Sequence, residues 1–114
     1  WSSGKRAAGI TEKKLARQAA ENSLADARDG LMVQHKQLRY NLSSAYEDFD
    51  TQKLNIDVSQ RVFESTSNKF EYGHASSLEL TNASMTLLTA QSDYVQAILN
   101  LVNAQIELKK LLNK

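Results

Sequence analysis

The sequence contains no proline, no cysteine and only 4 glycines among 114 residues. Average proline usage of ~5% would give about six prolines in a chain of this length. Because proline is the strongest helix breaker, its absence favours a mostly helical chain. The absence of cysteine excludes a disulfide scaffold and any zinc site with thiolate ligands.

The sequence also lacks an excess of charge and a long apolar run. Its 14 basic and 13 acidic side chains give a formal net charge of +1, which does not support a nucleic-acid-binding domain. No apolar run approaches the ~20 residues of a membrane-spanning helix. The opening residues lack the apolar core of a secretory signal. Because the chain opens on Trp1, we expect it to be a segment of a longer protein.

A first helix is predicted from about residue 11 to about residue 70. Thr11 can cap it, and Glu12 follows at once, where the positive end of the helix dipole favours an acid. Gly30 is the one helix breaker within this range. It costs ~1 kcal/mol relative to alanine, which a helix of this length tolerates.

A turn is predicted at about residues 71–76, because Gly73 stands among polar and small residues there. A second helix is predicted at about residues 77–112. Ser76 or Ser77 can cap this helix, and Glu79 lies in its first turn.

Apolar residues recur every seven positions in both predicted helices. The first helix has two such series: Leu24, Leu31, Leu38 and Ala45, and Leu42, Phe49, Ile56, Phe63 and Phe70. The second helix has a predicted packing seam of Leu80, Ala83, Leu87, Ala90, Tyr94, Ala97, Leu101 and Ala104. Leu88, Val95 and Val102 are expected to widen that face. Heptads of this kind predict helices that supercoil around each other with left-handed twist.

The predicted fold class is therefore all-α, a long antiparallel helical hairpin with coiled-coil packing and arms of unequal length. Alanine at one of the two seam positions lets neighbouring backbones approach closely. Two helices enclose no core, and the apolar faces on both arms are wide. We therefore expect further helices in the native protein and self-association of the isolated chain.

No residue set predicts catalysis, a cofactor or a metal, and we expect no enzyme. His35 lies mid-helix without an acidic neighbour at helical spacing, and His74 is a polar turn residue. A cluster of acidic residues lies within the first helix: Glu47, Asp48, Asp50 and Asp57. This cluster lacks the glycine and the alternating ligand spacing of a calcium loop, which favours a solvated face.

The predicted turn carries a recognisable pattern. It reads Lys69-Phe70-Glu71-Tyr72-Gly73-His74-Ala75-Ser76-Ser77-Leu78-Glu79-Leu80-Thr81-Asn82-Ala83. An aromatic three residues before a glycine, a serine three residues after it and a helix of spaced Ala, Leu and Tyr resemble the C-terminal repeat of TolC-type outer membrane efflux proteins. Ser3-Gly4-Lys5-Arg6 resembles the segment in which a barrel strand of that family enters the periplasmic helix. The resemblance covers essentially the whole chain.

The resemblance implies a homotrimer in the outer membrane that exports small molecules or proteins. Each subunit would give four strands to one β-barrel, which makes the membrane contact outside this segment, and helices would continue the barrel as a periplasmic tunnel. The channel would act with a periplasmic adaptor and an inner-membrane pump, and no nucleic acid is implied. The turn would be the tip that meets the adaptor, with contact residues Phe70, Tyr72, Gly73, Ser76 and Ser77.

Two residues that follow the turn, Glu79 and Asn82, are candidates for a pore constriction. Glu79 matches a position that is often acidic in the family, and Asn82 stands where the best-known member has a second acid. Ala75 replaces a basic residue of that member. The resemblance thus supports the turn. It gives less support to two features of the best-known member, a double ring of acidic residues at the entrance and a closed state held by salt bridges. Glu79 alternatively only stabilises the helix dipole, and Tyr72 is either a tip contact or helix-end packing.

A second functional class also fits the heptads. A coiled-coil interaction module, such as an adaptor hairpin or a receptor stalk, would have the same periodicity without a transport role. The sequence upstream of Trp1 would distinguish the two classes. A channel predicts an outward-apolar pair of strands there.

Overall fold

The fold consists of two α-helices. The computed structural model describes the backbone of residues 2–113 and the side chains of residues 7–113. Helix α1 spans Ser2–Glu71 and helix α2 spans Ser77–Leu112, and the described residues form no strand. The all-α prediction is confirmed. Neither helix, over the described residues, has an apolar stretch long enough to cross a membrane.

Helix α1 begins earlier than the sequence indicated. It starts at Ser2 rather than near residue 11, and Thr11 is not an N-cap. The Thr11 hydroxyl donates instead to the Ala7 carbonyl, 2.9 Å away, as a threonine inside a helix does. Residues 2–10 contain no proline. Nothing in them therefore prevents the helix from beginning before Thr11. The side chains of Ser3-Gly4-Lys5-Arg6, like Trp1 and Lys114, lie outside the described part.

The chain divides into two units, Trp1–Gln37 and Leu38–Lys114. In the first unit the described side chains belong to a single helix, and nearly all of them are exposed. Its exposed apolar residues are Ile10, Leu15, Leu24, Leu31, Met32 and Val33. This unit therefore has no hydrophobic core of its own.

The second unit is an antiparallel helical hairpin. The Tyr46 hydroxyl oxygen accepts a hydrogen bond from Gln105 Nε2 at 3.1 Å. Further along α1, the ring of Phe49 lies 5.5 Å from that of Tyr94. Partners on α2 thus move towards its N-terminus as α1 proceeds, which is antiparallel pairing. The hairpin prediction is confirmed, and α1 has 70 residues against 36 in α2.

The interface between the helices follows a 3–4 spacing on both sides, and we call it the inner seam. On α1 its buried and half-buried members are Leu38, Leu42, Ala45, Phe49, Gln52, Ile56, Ser59, Phe63 and Thr66. On α2 they are Leu80, Ala83, Leu87, Ala90, Tyr94, Ala97, Leu101, Ala104, Leu108 and Leu111. This spacing is that of a coiled coil.

The most deeply buried positions of the inner seam carry small side chains. Ala97 is 1% exposed and Ala90 is 3% exposed. Ser59 on α1, at 6%, is the one buried polar residue among the described side chains. Small residues at a contact bring helix axes closer together, so the inner seam depends on the alanine row.

We predict that Ala97→Leu destabilises the hairpin by about 1–3 kcal/mol, because added methyl groups in a filled site force neighbouring side chains off their rotamers. Urea unfolding followed by circular dichroism measures the change. The matched control is Ala20→Leu, at an exposed position of α1, which should change stability by less than ~0.5 kcal/mol. Equal effects of the two variants would refute close packing at Ala97.

Candidate functional site

The turn between the helices is a Schellman motif. The backbone N–H of His74 donates to the Lys69 carbonyl at 2.7 Å, and that of Gly73 donates to the Phe70 carbonyl at 3.1 Å. Gly73 has φ of +78°, the only positive φ in the described backbone. This pair of bonds around a left-handed glycine ends α1 and satisfies two of its last carbonyls.

Helix α2 begins on a side-chain cap. Ser76 has an extended backbone, and its Oγ accepts a hydrogen bond from the backbone N–H of Glu79 at 3.1 Å. Its carbonyl accepts from the N–H of Leu80, also at 3.1 Å. The Ser77 carbonyl accepts from the Thr81 hydroxyl at 2.8 Å. Ser76 is therefore the N-cap, and Ser77 is the first residue of the helix.

The turn exposes apolar side chains to solvent. Tyr72 is 78% exposed, Leu78 67% and Phe70 42%. Ala75 is half-buried between the two helix ends, and His74 is exposed. Hydrogen bonds within the turn hold the backbone, so these side chains are presented from a defined conformation.

Glu79 and Asn82 lie on the exposed side of α2, one helical turn apart. Glu79 is in the first turn, where its carboxylate stabilises the helix dipole within a single chain. Lining a pore would require further subunits. Glu79 could therefore stabilise the helix dipole in the single chain and line a pore in the assembled protein.

Helix α2 carries a second apolar row that α1 leaves exposed. We call it the outer seam. Its members are exposed by 42–62% and comprise Met85, Leu88, Val95, Leu99, Val102 and Ile106. With Ser92 between Leu88 and Val95, the positions alternate by three and four residues, as in the inner seam. The outer seam is thus a coiled-coil face that the hairpin leaves uncovered.

The prediction that Leu88, Val95 and Val102 widen the inner seam is wrong. They are 62%, 54% and 42% exposed, respectively. In a heptad they lie five positions after an alanine of the inner seam, which turns them to the opposite side of the helix. Counting Met85 and Leu99 with them would have revealed a second row rather than a wider first one.

Charge separates the outer faces of the two helices. Between residues 80 and 106 the only charged side chain is Asp93, which lines a groove with Asn55 and Ser59 of α1. The exposed surface of α1 in the hairpin carries both signs and includes Arg39, Glu47, Asp50, Lys53, Asp57, Arg61 and Glu64. On α1 these charges lie beside exposed apolar residues such as Leu54, Val58 and Val62, whereas the exposed surface of α2 is almost free of charge over this range.

Two of the four carboxylates in the acidic cluster of α1 have partners on the same helix. Asp57 pairs with Arg61 at 3.0 Å, and Asp48 accepts from Gln52 Nε2 at 3.3 Å. Within the described part of the chain, no three His, Cys, Asp or Glu side chains form a group that could hold a metal ion. His35 is half-buried in α1.

We predict opposite effects of Gly→Ala at two positions. Gly73→Ala should destabilise the hairpin by about 1–2 kcal/mol, because a Cβ disfavours the left-handed conformation. Gly30→Ala should stabilise α1 by up to ~1 kcal/mol, since Gly30 is helical and its added Cβ meets no atom within 4 Å beyond its chain neighbours and the adjacent helix backbone. Thermal unfolding measures both changes, and a shift of the same sign in both variants would contradict the assignment of the turn.

Comparison with known proteins gives one positive result. A family model described as outer membrane efflux protein matches residues 2–114. No curated protein and no solved structure matches the chain. The matched range covers both helices, the turn and the outer seam. The chain therefore belongs to the outer membrane efflux protein family.

Proposed function

We propose that this chain is a wall segment of a trimeric outer membrane efflux channel, with the turn as the tip that meets a periplasmic adaptor. Proteins of this family form trimeric channels that work with adaptors and pumps. The observation that carries the proposal is the pair of seams on α2, of which α1 covers only one. The exported compounds would pass through a helical tunnel in the periplasm.

A tunnel wall gives a physical reason for the outer seam. In a closed ring of helices, each helix packs against a neighbour on either side. Helix α2 has an apolar coiled-coil face on each of two opposite sides, and its outer seam carries no charge that a neighbour would have to neutralise. Covering six apolar side chains that are 42–62% exposed would be favourable at roughly 25 cal/mol per Å².

The turn supports a docking role because it presents apolar groups from a fixed backbone. Phe70, Tyr72 and Leu78 are exposed around Gly73. Exposed aromatic side chains on a preorganised backbone are typical of binding surfaces. The proposed adaptor contact comprises Phe70, Tyr72, Gly73, Ser76 and Ser77, and the segment would lie in the periplasm.

Three-fold symmetry would repeat Glu79 at one height of the proposed tunnel. A ring of three carboxylates near the entrance would favour cations over anions. Asn82, one turn further on, adds amides rather than a second ring of charge. The proposed constriction therefore has one acidic layer.

A stand-alone coiled-coil module is the weaker alternative. The heptads of such a module would also explain the inner seam. They would not explain why the family model matches residues 2–114. The family match therefore favours the channel.

The proposal predicts that Gly73→Leu in the full-length protein reduces adaptor-dependent export strongly. The branched side chain strains the turn that presents the tip. The measurement is the accumulation of an exported dye in cells that carry the variant at wild-type abundance in the outer membrane. Lys36→Leu, at an exposed position of α1, is the control and should export normally. If both variants export equally well, the tip assignment is wrong.

The isolated 114-residue chain should self-associate at tens of micromolar, and Val95→Lys should weaken this association at least tenfold. A lysine in the outer seam would lose its hydration when the seam is covered. Light scattering over a dilution series gives the mass. Thr51→Lys adds the same charge at an exposed position of α1 and should leave the association unchanged. A monomeric wild-type chain would show that the outer seam does not drive association.

A further inference from the structure

One position of the inner seam carries a long polar side chain. Gln52 is half-buried on α1, in the heptad row whose other members in the hairpin are small or aliphatic. These members are Leu38, Ala45, Ser59 and Thr66. A glutamine in this row places an amide where every neighbouring layer places a smaller or apolar group.

The amide of Gln52 makes no hydrogen bond across the seam. Its Nε2 turns back along α1 and donates to Asp48 at 3.3 Å. Its Oε1 is buried and has no hydrogen-bond partner among the described residues. A buried acceptor without a partner carries its full desolvation cost, so this layer opposes the pairing of the helices.

The neighbouring layer is held firmly by comparison. Phe49, one turn before Gln52, stacks on Tyr94 with the ring centroids 5.5 Å apart. One turn further, Tyr46 accepts the hydrogen bond of Gln105 across the helices. The α1 members of both contacts precede Gln52 and so lie on its side remote from the turn.

Open space flanks the Gln52 layer on both sides. A groove of about 670 Å³ is lined by Lys53, Ile56 and Tyr94, among others. Another groove of about 370 Å³, further from the turn, is lined by Ala45 and Asp48, among others. The grooves therefore do not distinguish the two sides of the layer, and the buried acceptor of Gln52 is what sets the layer apart.

We infer that the Gln52 layer is a weak point of the inner seam, at which α1 and α2 separate more readily than at the layers on either side. The orphan carbonyl oxygen gains a water molecule when the layer opens, while the Phe49–Tyr94 layer loses its ring contact. This inference goes beyond the proposed channel function and does not depend on it.

Hydrogen exchange of the 114-residue chain, followed by mass spectrometry of peptides, tests the inference. In the wild-type chain, the α1 peptide around residues 50–57 should exchange faster than the α1 peptide around residues 42–49. Gln52→Met has nearly the same length and no polar group. It should slow exchange in the 50–57 peptide about tenfold, which equals ~1.4 kcal/mol, and change the 42–49 peptide much less.

The matched control is Gln91→Met. Gln91 is exposed on α2, so its replacement should not slow exchange at the Gln52 layer. Gln52→Leu repeats the test with a side chain that favours the helix, and circular dichroism verifies that each variant is folded.

Three results would overturn the inference. Uniform exchange along the wild-type hairpin would show that no layer is weak. Unchanged or faster exchange in both Gln52→Met and Gln52→Leu would show that the oxygen is already satisfied. Slowing by the same factor in every peptide would show a general gain in stability rather than a local weak point.

Discussion

The hairpin depends on the burial of one row of small side chains against α1. Ala90 and Ala97 are the most buried residues described, and their size allows the two backbones to approach. The large residues of the inner seam, such as Phe49 and Tyr94, remain only half-buried. Because the hairpin has only two helices, no third helix covers these large side chains. The same geometry that joins the helices therefore leaves apolar surface that calls for further helices.

The turn is specified by local interactions, and so it does not need the inner seam to define its shape. A left-handed Gly73 ends α1 and the Ser76 side chain begins α2 three residues later. Each device satisfies helix-end groups that would otherwise need water. A turn built in this way keeps Phe70 and Tyr72 in a fixed arrangement, as the proposed docking role would require.

The two helices differ in what covers them. Helix α2 has apolar rows on opposite sides and one charge between residues 80 and 106, whereas the outer face of α1 in the hairpin carries many charges of both signs. Helix α2 therefore has an apolar row for a neighbour on each of two sides, whereas α1 mixes charged residues with exposed apolar ones such as Leu54, Val58 and Val62. Membership of the outer membrane efflux protein family is consistent with this asymmetry, since the proposed tunnel wall would provide the second neighbour of α2.

The sequence by itself determined the helical class, the hairpin and the heptad rows, because the absence of proline, the 3–4 spacing and the Gly73 turn act locally or periodically. It did not determine where α1 begins, since Thr11 serves a helix interior as readily as an N-cap. It also did not show which rows are covered. Periodicity defines the rows of a helix, but only the position of the partner decides that Ala97 is buried while Val95 is exposed, and that the Gln52 oxygen is buried without a partner.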